Sequence, residues 1–492
     1  MKQILFTAAV FLLFLFSSCN QTKETVITGQ IVGNADKMIF SNPSQGTCFT
    51  GFRDTIFVDE SGKFELRFNL KQPAFIALWN PREQKFFRLL LESGSRHHIL
   101  IDMESGIEIS GTNEAGQRLL ATLPNPPWIE MEAGSFMGES SLTVIRERIQ
   151  NLKEEDLRKF GQLLDENKIS ASFYELIGRD RSVYYASLEA IISQMKMFPY
   201  LMYNSFGEDE RFREEYLRFR NPLENQRTIY AQLPPDNENL LLSSFWFEYA
   251  KHFIQNFVQF SKEDFDVLEM MELFGGNSDA VLTFFINEAR EHLTGKSLEF
   301  FQATFLFETA IQREFEKSLI AAFEQFKSDF PRSEYSRYIQ PLIDEVVAFH
   351  NAELNENIIF IENTENINTL AELIEPLKGR KIYIGIWATW CGPCIDQFSY
   401  SEAMREILKE NDIQMLYISI DNENVHQHWQ TMIRHFDLQG KHIRANESLN
   451  NDLRDDSRGI RIPWYILVDE EGNIVQMHAK RPSQVVETGS IF

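Results

Sequence analysis

The chain has 492 residues, of which 43% are hydrophobic and 24% charged, with a formal net charge of −24. Domains run to roughly 100–200 residues, so a single hydrophobic core is excluded and about three domains are expected. So acidic a balance excludes nucleic acid and anionic lipid as broad-surface partners, and only four cysteines in so long a chain exclude a disulfide-stapled scaffold.

Lys2 gives the N-terminus a positive charge, and Ile4 to Phe16 form an apolar stretch too short to span a bilayer comfortably. Ser17 and Ser18 then lead into Cys19. This arrangement resembles the lipobox of bacterial lipoproteins, in which signal peptidase leaves the cysteine diacylated, with Phe16 standing where leucine is usual. The resemblance implies a signal peptide over residues 1–18, a lipid on Cys19, and a soluble remainder held in the cell envelope or periplasm. Asn20 is no Asp-type retention cue, which prefers the outer membrane. A plain signal peptide with an incidental Cys19, and an uncleaved membrane anchor, are the competing readings.

Beyond a polar tether, Val26 to Gly33, Thr55 to Val58 and Lys63 to Phe68 alternate in the strand period. Asp59-Glu60-Ser61-Gly62 is a turn signal, and Ala74 to Trp79, Phe87 to Leu91, His98 to Asp102 and Ile107 to Ile109 continue a meander. Residues 24–122 therefore read as an all-β sandwich or barrel. The Val58–Phe64 turn and the Ile109–Thr112 finish resemble the β-domain, of unassigned function, that precedes thioredoxin modules in envelope lipoproteins. His97 and His98, adjacent on a strand, point to opposite faces and do not make a metal pair. Cys48 reads as a partly buried, inert thiol, with a redox-partner role as the alternative.

Pro124-Asn125-Pro126-Pro127 marks a boundary, after which residues 130–352 carry helical spacing. Leu142, Ile145, Ile149 and Leu152 make one stripe; Phe245, Tyr249, Phe253 and Phe257 make another, with Ser243 or Ser244 as cap. Such aromatic stripes are core, and this α-helical domain shows no catalytic motif. Residues 355–492 alternate strands and helices and close on a hairpin: Asn357–Ile361, Lys381–Trp387, Ile413–Ile420 and Trp464–Val468 as strands, then Ile474–Met477 across the Asp469–Asn473 turn. Helices are expected over Thr369–Leu377, from the cysteine pair to Lys409, and over Val425–Phe436. That is an α/β domain with a mixed sheet.

The chemistry-bearing motif is Trp387-Ala388-Thr389-Trp390-Cys391-Gly392-Pro393-Cys394. Two cysteines at i and i+3, where a strand hands over to a helix, are near enough to close a small disulfide ring. The first meets unpaired N–H groups and the positive end of the helix, which favour a thiolate. The second, a turn further in, resolves the mixed disulfide. Zinc needs about four ligands and no second CxxC exists; His426, His428 and His435 read as solvated surface. Metal and a permanently closed structural disulfide remain as alternatives for the pair.

Over residues 355–492 these motifs resemble thioredoxin-like proteins, more narrowly the TlpA/ResA-like envelope group. The resemblance implies Cys391 as attacking and Cys394 as resolving cysteine, and Trp390 as the tryptophan covering the pair. In Ile460-Arg461-Ile462-Pro463-Trp464 it implies Pro463 as a cis-proline facing the disulfide, with Ile462 offering backbone to a substrate. No cofactor is implied beyond the Cys391–Cys394 disulfide. The Gly-Pro dipeptide matches thioredoxin, the reducing end of the potential scale. A reductant of oxidised envelope proteins is therefore expected, apocytochrome c among them, recharged by a membrane electron donor. The other reading is an envelope lipoprotein that binds a protein or glycan partner and carries an accessory redox domain. Two positions depart from the group: thioredoxin's buried Asp is replaced by Gly385, and the envelope group's Glu by Gln397. The usual proton acceptor for Cys394 is missing from both, and slower proton transfer is expected. The loop Ser419-Ile420-Asp421 and the segment Arg481-Pro482-Ser483 also resemble the envelope group; Asp396 and Asp421 are near in sequence, with no role assigned.

Overall fold

The computed structural model describes residues 23–32, 37–44, 47–59, 61–80, 85–102, 106–124, 129–139, 141–206, 220–262, 267–274, 278–312, 315–362, 364–457 and 461–491. Cys19 lies outside them. Among the described residues no helix is long and apolar enough to cross a membrane. The chain divides into two compact units, Met1–Lys196 with Glu224–Ala250 and Met197–Leu223 with Lys251–Phe492, so the helical segment is shared between them.

The first unit opens with eight strands: β1 (Thr25–Val32), β2 (Lys37–Ser44), β3 (Thr47–Phe57), β4 (Lys63–Phe68), β5 (Ala74–Asn80), β6 (Lys85–Leu91), β7 (Arg96–Asp102) and β8 (Gly106–Gly111). They form two four-stranded sheets, ordered β4-β1-β7-β8 and β3-β2-β5-β6. Ile27, Ile99 and Ile101 from one sheet meet Ile76, Leu78 and Leu89 from the other in a shared apolar cluster. The meander holds for the antiparallel pairs β5–β6 and β7–β8 and fails at β1, which runs parallel to β7. The turn after β3 passes the chain between sheets: Asp59 Oδ1 accepts from the backbone N–H of Ser61 and Lys63, and Gly62 takes φ +75. Cys48 lies in β3, where its backbone pairs with Pro43.

β5 is buried on both faces. Ala74, Ile76 and Leu78 enter the sandwich, whereas Phe75 joins Leu90, Phe160 and Phe173 against the helices Leu142–Asp165 and Ala171–Phe206. A strand covered on both sides reads as a continuous apolar run. On that helical side Arg88, 6% exposed, lies 3.2 Å from Asp180 Oδ2, and Asp180 Oδ1 accepts from the hydroxyls of Ser243 and Ser244. The stripe expected at 245, 249, 253 and 257 breaks, because helix Trp246–His252 passes into a π-helical turn, Phe253–Val258. The extra residue in that turn moves burial to Ile254 and Val258 and leaves Phe253 and Phe257 half-buried.

In the second unit the helix Gly295–Ile311 is buried nearly all round, with Phe300, Phe301, Phe305 and Phe307 inside. Six strands follow: β9 (Ile358–Phe360), β10 (Lys381–Trp387), β11 (Ile413–Ser419), β12 (Gly440–Arg444), β13 (Trp464–Val468) and β14 (Ile474–Gln476). Their order is β14-β13-β10-β11-β12-β9; β10, β11, β12 and β9 are mutually parallel, β13 runs antiparallel to β10, and β14 antiparallel to β13. β10 feeds both faces, Ile382, Ile384 and Ile386 into one core and Tyr383 and Trp387 into the other. β12 and the helix Glu447–Ser457 have no counterpart in the sequence reading, since both are short and polar. The helix expected from the cysteines to Lys409 is two, Gly392–Phe398 and Ser401–Glu410.

His442 on β12 is fully buried, stacked on Tyr417 at 4.8 Å between ring centres, with Nε2 2.6 Å from the Leu438 carbonyl oxygen. Burial pushes its pKa down to about 4, and does the same to His97 on β7. His98, the exposed neighbour, points the other way. Both buried imidazoles are neutral in the folded chain and take up protons on unfolding below about pH 6.5. Their contribution is therefore complete above that pH and is lost as pH falls toward 4. At about 1.4 kcal/mol per pH unit each contributes about 3 kcal/mol. The urea midpoint should fall across that window, and His442→Leu should flatten the fall; an unchanged slope would contradict the assignment.

Candidate functional site

Strand register decides which loops meet. Trp387 on β10 lies opposite Ser419 on β11, and Ile386 opposite Trp464 on β13. The segments after β10, after β11 and before β13 therefore leave the sheet together. That is the carboxyl end of the parallel strands, where open α/β sheets place their sites. They carry the cysteine pair, Asp421 and Pro463 respectively.

Cys391 and Cys394 form a disulfide with Cα atoms 5.3 Å apart. Cys391 is the N-cap of the helix Gly392–Phe398: its backbone is extended, and its Sγ accepts from the Cys394 N–H at 3.2 Å. A turn closed by Cys391 N donating to the Ala388 carbonyl at 3.0 Å delivers it there. Proline in the first turn suits a helix start, where its missing N–H has no partner to lose. Both sulfurs belong to the apolar cluster under β10, but their surroundings differ. Cys394 is fully buried, while Cys391, 4% exposed, is flanked by exposed Trp390, Gly392 and Pro393. An incoming group therefore meets Cys391 first.

Trp390 is 70% exposed; the tryptophan packed in the same cluster as the sulfurs is Trp387, edge-on to Phe398 at 5.0 Å. The Ile462–Pro463 bond is cis, Pro463 is buried, and Ile462 packs half-buried against the cluster.

Both missing acids have a structural explanation. A Cβ on Gly385 would stand 3.1 Å from Met415 Cε and from Tyr465 Cε1, so a side chain there requires these neighbours to give by a few tenths of an ångström. Gln397 Oε1 accepts from the Ser483 N–H and so caps the helix Pro482–Thr488. Asp396 is exposed. Tyr383, Tyr417 and Tyr465 lie in the same cluster, and burial raises the pKa of each, which removes them as bases. Asp421 is a buried carboxylate, 3% exposed. The Ser419-Ile420-Asp421 loop is legible as a motif, but the partnership with Thr389 is not, because the two are 32 residues apart in sequence.

His426 is exposed, while His435 is half-buried, its ring 4.5 Å from that of Phe315. Away from the sulfurs, Glu288, Glu291 and His292 gather at metal-ligand spacing, yet Lys262 Nζ stands 2.9 Å from Glu288 Oε1 and supplies a cation there already.

Residues 357–488 match the Redoxin family. Thiol-disulfide oxidoreductase ResA of Halalkalibacterium halodurans is 28% identical over 108 residues, and ResA of Bacillus thuringiensis subsp. konkukian 19% over 103. Each match covers 21% of this chain and 57% of the relative, so the chain spans little more than half the length of the curated relatives it matches. The solved thioredoxin domain of a thiol-disulfide oxidoreductase from Bacteroides vulgatus is 20% identical, covering 24% of this chain and 81% of that one, with a TM-score of 0.22.

Restoring thioredoxin's carboxylate is expected to strain the packing around Gly385. Gly385→Asp forces Met415 and Tyr465 apart and should cost about 1–3 kcal/mol from overpacking alone. The check is the urea midpoint of the oxidised chain; an unshifted midpoint would show that the space is open.

Proposed function

Since residues 357–488 are a Redoxin domain, we propose that the chain is a thiol–disulfide oxidoreductase of the cell envelope whose redox group is the Cys391–Cys394 pair. The observation that carries this reading is the Cys394 N–H aimed at Cys391 Sγ at the start of a helix, with Cys391 the more accessible of the two sulfurs. Such placement lowers a cysteine pKa from about 8.5 into the range of roughly 3.5–7.5 and makes the thiolate available near neutral pH.

Starting from the reduced pair, Cys391 thiolate attacks one sulfur of a substrate disulfide. A Cys391–substrate S–S bond forms as the substrate bond breaks, and the second substrate sulfur leaves as a thiolate that takes a proton from water. Cys394 gives its proton to solvent water and attacks Cys391 Sγ. The Cys391–Cys394 disulfide closes, the remaining substrate sulfur departs, and two electrons have passed to the substrate. Trp390 precedes Cys391, and Ile462 and Pro463 leave the sheet at the same end; these three are the contacts proposed for the substrate backbone. With Gly385 and Gln397 in place of acids, the Cys394 proton has no carboxylate acceptor at either position, which slows its transfer.

The Gly-Pro dipeptide favours reduction of the substrate, and an oxidised envelope protein such as an apocytochrome is the class proposed. In an oxidising compartment the pair needs a dithiol donor at the membrane to return the two electrons. A lipid on Cys19 holds the chain to an envelope membrane. The sulfur pair is itself the redox group, so the cycle uses no bound cofactor or metal.

Cys394→Ser removes the resolving thiol and should accumulate mixed disulfides with discrete envelope proteins, absent from Cys391→Ser. Should nothing be trapped while partners are still retained independently of both cysteines, the chain is instead a binding lipoprotein with an accessory redox domain.

A further inference from the structure

Asp421, directly beyond β11, is 3% exposed, and its carboxylate is fully engaged at one place. The Thr389 N–H donates to Oδ1 at 3.1 Å and to Oδ2 at 2.9 Å, and the Thr389 hydroxyl donates to Oδ1 at 2.9 Å. Ser419 Oγ donates to Oδ2 at 2.8 Å, fixing the carboxylate from its own side. Thr389 is the second residue of the Ala388–Cys391 turn, and Ile420 N donates to the Trp387 carbonyl at 3.0 Å just before it. The loop after β11 thus grips the turn that exposes Trp390 and swings Cys391 into its N-cap position.

We infer that Asp421 is a positioning residue for the exchange reaction: acting through Thr389, it fixes the turn that aims Cys391 Sγ at an incoming disulfide. The inference deepens the oxidoreductase reading and rests on it. Attack on a disulfide is directional, and misplacing a reacting atom by about 1 Å costs up to about 100-fold in rate. Three donors converge on Asp421, which only an acceptor with several lone pairs accommodates. An amide at this position keeps most of the grip: its oxygen accepts both Thr389 donors, and its NH2 donates to Ser419 Oγ once that hydroxyl rotates. An alanine loses every contact and leaves the Thr389 N–H, in a residue 8% exposed, without its acceptor.

The test uses the reduced full chain with glutathione disulfide as probe, reading the second-order rate constant beside the urea midpoint. Asp421→Ala is expected to slow exchange by about 10- to 100-fold, with Asp421→Asn remaining within about 3-fold of wild type. An Asp421→Ala rate equal to wild type overturns the inference, whatever happens to stability, and so does an Asn variant as slow as Ala. If Asp421→Ala does not fold, Thr389→Val and Thr389→Ser decide: Val slower than Ser by about 3-fold or more supports it, and equal rates overturn it. A wild-type chain inert toward the probe removes the oxidoreductase reading itself, an outcome distinct from an active wild type matched by its variants.

Discussion

The contact between the Cys394 N–H and Cys391 Sγ, 3.2 Å long, depends on the whole second-unit sheet being in place. β10 runs through the centre of that sheet with both faces buried, so its end is fixed in space before the cysteines begin. The turn Ala388–Cys391 then reverses the chain so that a sulfur, rather than a Ser, Thr or Asp oxygen, occupies the N-cap. An oxygen there would satisfy the N–H and do nothing more. A sulfur satisfies it and also gains a stabilised anion and a bonding partner one turn away.

That arrangement was readable because each part is local. β10 and β13 coincide with the apolar runs Lys381–Trp387 and Trp464–Val468, and the CxxC spacing announces its own geometry. The capping box of Thr369 and Glu372 starts the helix Leu370–Ile374, ahead of β10, where the expected one begins. What escaped the sequence is non-local or disguised. β2 contains Asn42-Pro43-Ser44, which reads as a turn, yet it pairs with β3 through a register shift there. The parallel partnership of β1 with β7 has no local signal, and the π-helical turn at Phe253–Val258 adds a residue that a fixed period of 3.6 does not anticipate. β12 hides because its buried members include a histidine.

The departures at Gly385 and Gln397 were visible as letters, and the structure turns them into packing. Tyr465 and Met415 occupy the space beside Gly385, and Gln397 is committed to Ser483. The apolar cluster around the sulfurs is lined with aromatic side chains, and the buried carboxylate of Asp421 is spent on holding Thr389. Chemistry at the pair then rests on backbone donors and shape more than on side-chain proton transfer. In the first unit the same economy of charge applies: Arg88 is buried only where Asp180 meets it.

The most direct test of this account is the pH dependence of alkylation of Cys391 in the reduced full chain, followed by mass spectrometry. The account predicts an apparent pKa for Cys391 below about 7.5, with Cys394 alkylated only at higher pH or after unfolding. A Cys391 that ionises like a free cysteine, at about 8.5, would contradict it.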